Sequence, residues 1–152
     1  MRIVIAAVGR LRRGPEFDLL EAYRRRMQWP VAIREVEERR PLPPAERRHR
    51  EAELLRTALP EGATLVALDE GGVQMDSRQF AHWIGAWQDK GLRDLAFVIG
   101  GADGLDAPFR EEADMKMAFG TMTWPHMLVR GMLMEQIYRA QQILAGHPYH
   151  KG

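Results

Sequence analysis

Residues 119–126 read Phe-Gly-Thr-Met-Thr-Trp-Pro-His and lead directly into an apolar segment that begins near Met127. Apolar side chains recur in this segment at spacings of three and four, which predicts a helix with one apolar face, formed by Val129, Met132, Leu133, Ile137, Ala140 and Leu144. Three further residues fall outside that face: Leu128, Gly131 and Tyr138. The helix is therefore apolar around more of its circumference than a surface helix needs, and we expect two partners, a β-sheet and a second subunit.

The rest of the chain alternates short apolar runs with helical patterns, which is typical of an α/β fold with a mostly parallel sheet flanked by helices. The predicted strands cover residues 3–8, 31–36, 64–68, 95–99 and 115–119. The predicted helices between them cover residues 16–28, 46–58 and 77–89. Ser77 is the expected N-cap of the third helix. A chain of 152 residues suits one domain with a core of its own, so we expect residues 1–152 to form a single domain.

The charged residues are unevenly distributed. The 22 basic and 21 acidic side chains nearly balance, which argues against a protein that holds nucleic acid through bulk charge alone. Residues 1–56 nevertheless contain 14 basic and 9 acidic groups, so a polyanion is expected to bind the front of the chain. The chain has no cysteine, which excludes disulfides and zinc–thiolate sites and suits a reducing cytoplasm. No apolar run approaches the length of a membrane span.

Three glycine-containing loops follow predicted strand ends, at residues 68–72, 99–104 and 119–124. Ligands of open α/β sheets bind outside the carboxyl ends of the strands, and glycines let a ligand approach the backbone, so the three loops together predict a ligand site. Taken singly, each glycine pair also fits an ordinary tight turn. No Walker motif and no G-x-G-x-x-G after the first strand occurs, which disfavours an NTPase and a dinucleotide oxidoreductase.

Four motifs together resemble the RlmH family, a small branch of the SPOUT methyltransferases. They are Ile99-Gly100-Gly101 with Gly104, Pro125-His126 followed by Leu128-Val129-Arg130, Glu135-Gln136-Ile137-Tyr138-Arg139-Ala140, and His147-Pro148-Tyr149-His150-Lys151. The resemblance covers the whole chain and implies methylation of N3 of a pseudouridine in 23S rRNA, within the large ribosomal subunit or the assembled ribosome, with S-adenosyl-L-methionine as cofactor. It also implies a SPOUT fold with a C-terminal trefoil knot, a homodimer, a cytoplasmic location and no metal.

The resemblance assigns the cofactor contacts to Leu68, Gly100, Phe119, Gly120, Thr121, Met122, Thr123 and Trp124. The chemistry of these residues is consistent with that assignment. Leu68 and Trp124 can supply apolar walls, while a glycine-rich turn can offer backbone amides and carbonyls to an adenine edge. Gly100 is expected where a side chain would collide with the cofactor.

The implied catalytic residues are His150, Tyr149 and Arg130. The N3–H of the target must lose its proton, so a base within hydrogen-bond reach is expected, and His150 titrates in the useful range. Tyr149 can stack on a base or hydrogen-bond its carbonyl edge. Arg130 can stabilise the imide anion or hold phosphate, with Lys151 on the RNA backbone.

The basic front of the chain offers a surface for rRNA phosphates, across the dimer from the other subunit's tail. Its arginines are Arg10, Arg12, Arg13, Arg24, Arg25, Arg26, Arg39 and Arg40. A solvated charged face is the plainer interpretation of any one of them.

Two other classes of protein stay open at this point. One is a noncatalytic ribosome-binding protein with the same fold. The other is a metallohydrolase that uses His126, His147 and His150, although Pro148 breaks any helix there and no carboxylate completes the ligand set.

Overall fold

The computed structural model describes residues 1–151, in which strands and helices alternate. The strands are β1 (Arg2–Val8), β2 (Val31–Val36), β3 (Thr64–Gln74), β4 (Asp94–Ile99) and β5 (Met115–Ala118). The helices are α1 (Pro15–Arg24), α2 (Pro44–Ala58), α3 (Ser77–Asp89), α4 (Ala107–Glu111) and α5 (His126–Leu144). None of the helices described is both long and apolar enough to cross a membrane.

The strands form one sheet in the order β2-β1-β4-β3-β5. Every pairing between them is parallel, which confirms the α/β class and the parallel sheet predicted from the alternating pattern. The carboxyl ends of β1, β3, β4 and β5 therefore lie at one edge of the sheet. The loops that follow these ends meet there.

Helices cover both faces of the sheet. Successive residues of β1 point to opposite faces, so Ile3 and Ile5 enter one core cluster and Val4 enters the other. The first cluster contains residues of α1, α3 and α5, and the second contains residues of α2 and α4. The edge of the sheet at which the loops meet therefore belongs to a sheet whose two faces are both covered by helices.

The cap of α3 and the end of α1 differ from the sequence prediction, and α1 and α2 begin one and two residues earlier than predicted. The N-cap of α3 is Asp76, not Ser77, because the Asp76 carboxylate accepts from the Gln79 N–H while the Gln79 side chain accepts from the Asp76 N–H. Helix α1 ends at Arg24, four residues earlier than predicted. The buried Gln141 side chain of α5 accepts from the N–H groups of Gln28 and Trp29 at 2.9 and 3.1 Å, which holds these residues outside the helix.

The sequence prediction also missed two features near the site. Strand β3 continues to Gln74, with Leu68 and Val73 both paired to Met117, so that residues 69–72 loop out of the strand. Helix α4 is only five residues long, too short to show a helical period.

Two of the three extra apolar residues of α5 are covered by α1 of the same chain. Gly131 lies against α1, where an added Cβ would stand 2.8 Å from Leu19 Cδ2. Tyr138, only 9% exposed, packs against Tyr23 of α1, with the ring centres 6.0 Å apart. The burial of α5 therefore does not by itself require a second subunit, in contrast to the expectation from its sequence.

Candidate active site

A cavity of about 390 Å³ opens at the carboxyl edge of the sheet, within the range of small-molecule sites. The three loops predicted from the sequence all contribute to it. Its lining comprises Leu68, Asp69, Glu70, Ile99, Gly100, Gly101, Ala102, Asp103, Gly104, Leu105, Arg110, Met117, Ala118, Phe119, Gly120, Met122, Trp124, His126 and Val129. Six of the eight predicted cofactor residues are thus brought together.

Thr121 and Thr123 are the two exceptions. Both are exposed and neither lines the cavity, whereas Met122 and Trp124, on either side of Thr123, do. The Trp124 indole N–H donates to the Phe119 carbonyl at 3.4 Å, across the base of the loop. Met122 is 73% exposed and Trp124 40% exposed, so the mouth of the cavity carries an apolar rim.

The loop that follows β4 folds tightly on itself. The Gly104 N–H donates to the Gly101 carbonyl at 3.0 Å, and Gly104 has a φ of 80°, a conformation that L side chains rarely adopt. A Cβ on Gly100 would stand 2.8 Å from the Gly104 carbonyl carbon. The loop's own backbone therefore already requires glycine at position 100, independently of any ligand.

Residues 69–72 bring a carboxylate to the cavity. Asp69 faces Arg110 of α4, with the Arg110 Nη1 atom 3.4 Å from the Asp69 Oδ1 atom. A Cβ on Gly72 would stand 2.6 Å from the Lys116 carbonyl carbon and the Met117 nitrogen, so this loop-out also depends on a glycine. Sequence reasoning missed Arg110, because α4 gave no periodic signal from which to place it.

His126 lines the cavity from the first turn of α5. Burial, reinforced by the charge of Arg130, lowers its pKa from 6.5. Its ring is therefore neutral at pH 7.

Arg130 lies one turn further along α5 and is 1% exposed. Its Nη1 atom donates to the Glu35 carboxylate at 2.6 Å, and its Nη2 atom donates to the carbonyls of Val8 and Gly9 at 2.9 and 2.7 Å. These contacts join α5 to the ends of β1 and β2. The contact with phosphate or substrate that the sequence predicted for Arg130 stays a prediction, and the burial of its guanidinium within the subunit does not support it.

Tyr149 and His150 fold back onto α5. The Tyr149 hydroxyl donates to Glu135 Oε1 at 2.9 Å, and the Tyr149 ring meets the Tyr138 ring edge-on at 4.9 Å. Arg139 Nη1 lies 3.1 Å from His150 Nδ1. Burial, together with hydrogen bonding to Tyr23 and Glu135, raises the pKa of Tyr149.

Neither tail residue lines the cavity of its own subunit. The tail contacts α5 at Glu135 and Arg139, so these contacts lie about 9 and 15 Å along the helix from the cavity residue Val129. His126 and His147 lie at opposite ends of α5, and within residues 1–151 no group of three His, Asp or Glu side chains is placed to hold a metal ion. The three histidines of the metallohydrolase hypothesis are therefore not brought together.

The arginines of residues 1–56 differ in what they contact. Arg40 and Arg50 bind Glu38 at 2.9 and 3.2 Å and, with Arg40 contributing most, lower the pKa of Glu38 to about 2. Arg24 and Arg39 also have carboxylate partners, Glu21 and Glu37. By contrast, three exposed arginines of the loop after β1 make no side-chain hydrogen bond or ion pair with residues 1–151: Arg10, Arg12 and Arg13.

The fold and the cavity define an α/β protein with a ligand site at the carboxyl edge of a parallel sheet, and comparison with known proteins identifies its family. A family model described as "Predicted SPOUT methyltransferase" matches residues 1–150. The chain therefore belongs to the SPOUT methyltransferase family.

Its relatives narrow the class further. A protein of Rhodospirillum centenum named "Ribosomal RNA large subunit methyltransferase H" is 59% identical over 151 residues, covering 99% of each chain. Proteins of the same name from Paramagnetospirillum magneticum and Dinoroseobacter shibae are 55% and 48% identical, again over 99% of each chain. The resemblance to the RlmH family is confirmed, and the methyltransferase interpretation is supported over that of a noncatalytic binding protein.

Proposed function

We propose that this protein methylates N3 of a pseudouridine in 23S rRNA, with S-adenosyl-L-methionine as methyl donor, in the cytoplasm and as a single domain. The observation that carries the proposal is the cavity of about 390 Å³ in a chain that matches the SPOUT methyltransferase family over residues 1–150. The named relatives, which are methyltransferases of large-subunit ribosomal RNA, support the class of substrate.

The residues of the cavity fit this cofactor. Leu68, Val129 and Trp124 offer apolar surface to an adenine ring, and the tight backbone of residues 100–104 offers amide and carbonyl groups to its edge. Three carboxylates, those of Asp69, Glu70 and Asp103, also line the cavity and suit a ligand with cationic centres. Arg110 is available for a carboxylate, although it is shared with Asp69.

When bound, S-adenosylmethionine supplies a methyl group on a sulfonium, whose transfer to a nitrogen breaks the carbon–sulfur bond and leaves the electron pair on sulfur. The protein's contribution is to hold the acceptor nitrogen in line with that group, which gives most of the acceleration in such reactions. Tyr149 and His150 are the residues we assign to the target base.

The separation between tail and cavity supports a homodimer. Within one subunit the tail contacts α5 about 9 to 15 Å along the helix from the cavity, and neither Tyr149 nor His150 lines that cavity. A second subunit that places its tail over the cavity of the first completes the site.

Mixing two defective variants tests this arrangement. His150→Ala lacks the tail function, and Gly104→Val blocks the glycine loop where φ is 80°. Heterodimers refolded from the two impaired variants are expected to transfer methyl groups faster than either variant alone, because one cavity then meets an intact tail from the other subunit. Mixtures that form heterodimers but stay inactive would show that each site is built from one chain.

The first experiment is calorimetric titration with S-adenosylmethionine, followed by tritiated methyl transfer to ribosomes that lack the modification. We expect binding, and label in the pseudouridine of 23S rRNA. Trp124→Ala is expected to weaken cofactor binding about fivefold or more, the typical effect of removing an aromatic surface from a stacked base. The matched control is Trp87→Ala on α3, which leaves binding unchanged because Trp87 does not line the cavity. A protein that does not bind S-adenosylmethionine would favour the noncatalytic ribosome-binding alternative.

A further inference from the structure

The tail is held on α5 by a small network of charged groups. Glu135 Oε1 accepts from Arg139 Nη2 at 2.5 Å and from the Tyr149 hydroxyl at 2.9 Å. The Arg139 guanidinium also lies 4.8 Å from the centre of the Tyr149 ring. Arg139 is therefore held by two contacts, with the Glu135 carboxylate and the Tyr149 ring, and its other terminal nitrogen, Nη1, meets His150.

The contact between Arg139 and His150 determines which ring nitrogen carries the proton. A guanidinium has only N–H donors and no acceptor, so His150 Nδ1, 3.1 Å from Arg139 Nη1, must accept the hydrogen bond through its lone pair. The neutral ring then carries its proton on Nε2. His150 presents an N–H group, not a lone pair, on its other side.

The lone pair of His150 is already engaged in this position. It lies on Nδ1, the atom that accepts the hydrogen bond from Arg139, so it does not face the target base. Glu135 is close by, but its Oε1 atom is already shared by Arg139 and Tyr149. Tyr149 donates to Glu135, and with a raised pKa it stays neutral, so it offers no base either.

We propose that Arg139 holds His150 as an Nε2–H donor toward a carbonyl oxygen of the target base, so that His150 stabilises the deprotonated base instead of removing its proton. This inference rests on the proposed function, in which the tail contacts the pseudouridine. It replaces the general-base role expected from the sequence. Arg139 is then a positioning residue that acts through His150.

The chemistry balances with water as proton acceptor. The N3–H bond breaks, its proton passes to water, and the negative charge spreads over the two carbonyl oxygens that flank N3. The N3 lone pair forms the bond to the methyl carbon while the carbon–sulfur electron pair goes to sulfur. A fixed N–H donor at one carbonyl lowers the energy of the charge that develops there, as oxyanion donors do.

Nitrogen NMR of the free protein tests the tautomer without reference to activity. Long-range proton–nitrogen spectra, assigned by loss of signals in His150→Ala, are expected to show His150 protonated on Nε2 alone. In Arg139→Met the same ring is expected to become a mixture of tautomers. A His150 ring protonated on Nδ1 in the wild type would overturn the proposal.

Methyl transfer by His150 variants separates donor from base. His150→Ala is expected to lower kcat about 100-fold, the usual effect of losing one oxyanion donor. His150→Gln places an amide N–H close to the position of Nε2 and is expected to recover at least tenfold of that loss. If His150 were the base, the glutamine variant would be as slow as the alanine variant. His82→Gln, at an exposed position of α3, is the matched control and leaves kcat unchanged.

The two experiments also separate this inference from the proposed function. A wild-type protein that binds no S-adenosylmethionine and methylates no rRNA would remove the proposed function, and the donor role with it. The NMR result would still report whether Arg139 fixes the tautomer. An active enzyme with equally slow glutamine and alanine variants would overturn the donor role alone.

Discussion

His126 is the titratable residue whose ionisation the fold shifts beside the cavity. Burial and then Arg130 lower its pKa from the ordinary 6.5, so the unfolded chain binds more protons than the folded protein between the lowered pKa and pH 6.5. Stability is therefore complete above pH 6.5 and falls as the pH drops through this window.

We expect urea unfolding of the wild type to show this loss and His126→Gln to show a shallower pH dependence between pH 7 and 5. His82→Gln serves as control, because that side chain is exposed and forms no ion pair with the charged groups of residues 1–151. Parallel pH profiles for wild type and His126→Gln would contradict the role of burial at His126.

Gly72 is the residue on which the loop-out of β3 depends. A Cβ there would meet backbone atoms of Lys116 and Met117 at 2.6 Å, and backbone cannot move aside as a side chain can. We expect Gly72→Ala to lower the free energy of unfolding by about 1–3 kcal/mol and to weaken cofactor binding, because Leu68 and Met117 are displaced.

Gly71→Ala is the matched control for that change. Its added Cβ would lie 3.2 Å from Asp69 Oδ2, the end of a side chain that can rotate away. Equal losses of stability in the two variants, measured by urea unfolding, would show that the backbone contact is not the cause.

At the scale of elements, Arg130 joins α5 to the ends of β1 and β2. Its guanidinium is buried and faces one carboxylate, Glu35, and its Nε atom has no hydrogen-bond partner among the described residues. We expect Arg130→Met to lower the free energy of unfolding by about 2 kcal/mol, because it leaves the carbonyls of Val8 and Gly9 without their donor and the partly exposed Glu35 without its partner.

Arg2→Met provides the comparison on the surface. Arg2 Nε lies 2.7 Å from Asp94 Oδ1, but the Arg2 side chain is 46% exposed, and such pairs contribute about 1 kcal/mol or less. If Arg130→Met unfolded at the wild-type urea concentration and instead bound RNA more weakly, the phosphate role predicted from the sequence would hold and the structural role would not.

At the scale of the whole molecule, local sequence patterns predicted most of the strands and helices, whereas contacts between residues distant in sequence determine where some of these elements end. The apolar runs were sufficient to locate all five strands, although β3 continues beyond its predicted end. The signal is clearest in β1 and β4, because a strand buried on both faces leaves a continuous apolar run. Helix α4 was not predicted, because its five residues make little more than one turn. The end of α1 was predicted too late, because it depends on a hydrogen bond to Gln141, which is 113 residues beyond Gln28.

The residues of the candidate site divide in the same way, into those that local sequence patterns could place and those that depend on contacts between distant residues. Leu68, Gly100 and the loop before α5 could be placed because each follows a strand end in the sequence. The roles of Arg130 and His150 could not, because their partners Glu35 and Arg139 are visible only in three dimensions. The type of a residue indicates which chemical roles it can take. Its hydrogen-bond and ion-pair partners in the folded protein determine which of those roles it takes.

The distribution of unpaired arginines predicts how the molecule binds RNA. Arg10, Arg12 and Arg13 follow β1, and the loop starts at Gly9, where an added Cβ would lie 2.9 Å from Met127 and 4.0 Å from His126 of the cavity. The unpaired guanidinium groups of this loop are available to phosphates, whereas Arg2, Arg40 and Arg56 are engaged with Asp94, Glu38 and Glu112.

We expect the triple change of Arg10, Arg12 and Arg13 to Gln to reduce the slope of log K against log salt by about 2, since each phosphate contact to single-stranded nucleic acid contributes about 0.7. The charge-matched control changes Arg2, Arg40 and Arg56 to Gln and removes the same three charges from paired positions. Its slope should stay near that of the wild type when binding to an rRNA hairpin is measured over a range of salt concentrations. Equal reductions of the salt slope in both triple variants would mean that RNA binding depends on the net charge of the molecule. Local contacts at the loop after β1 would then make no separate contribution.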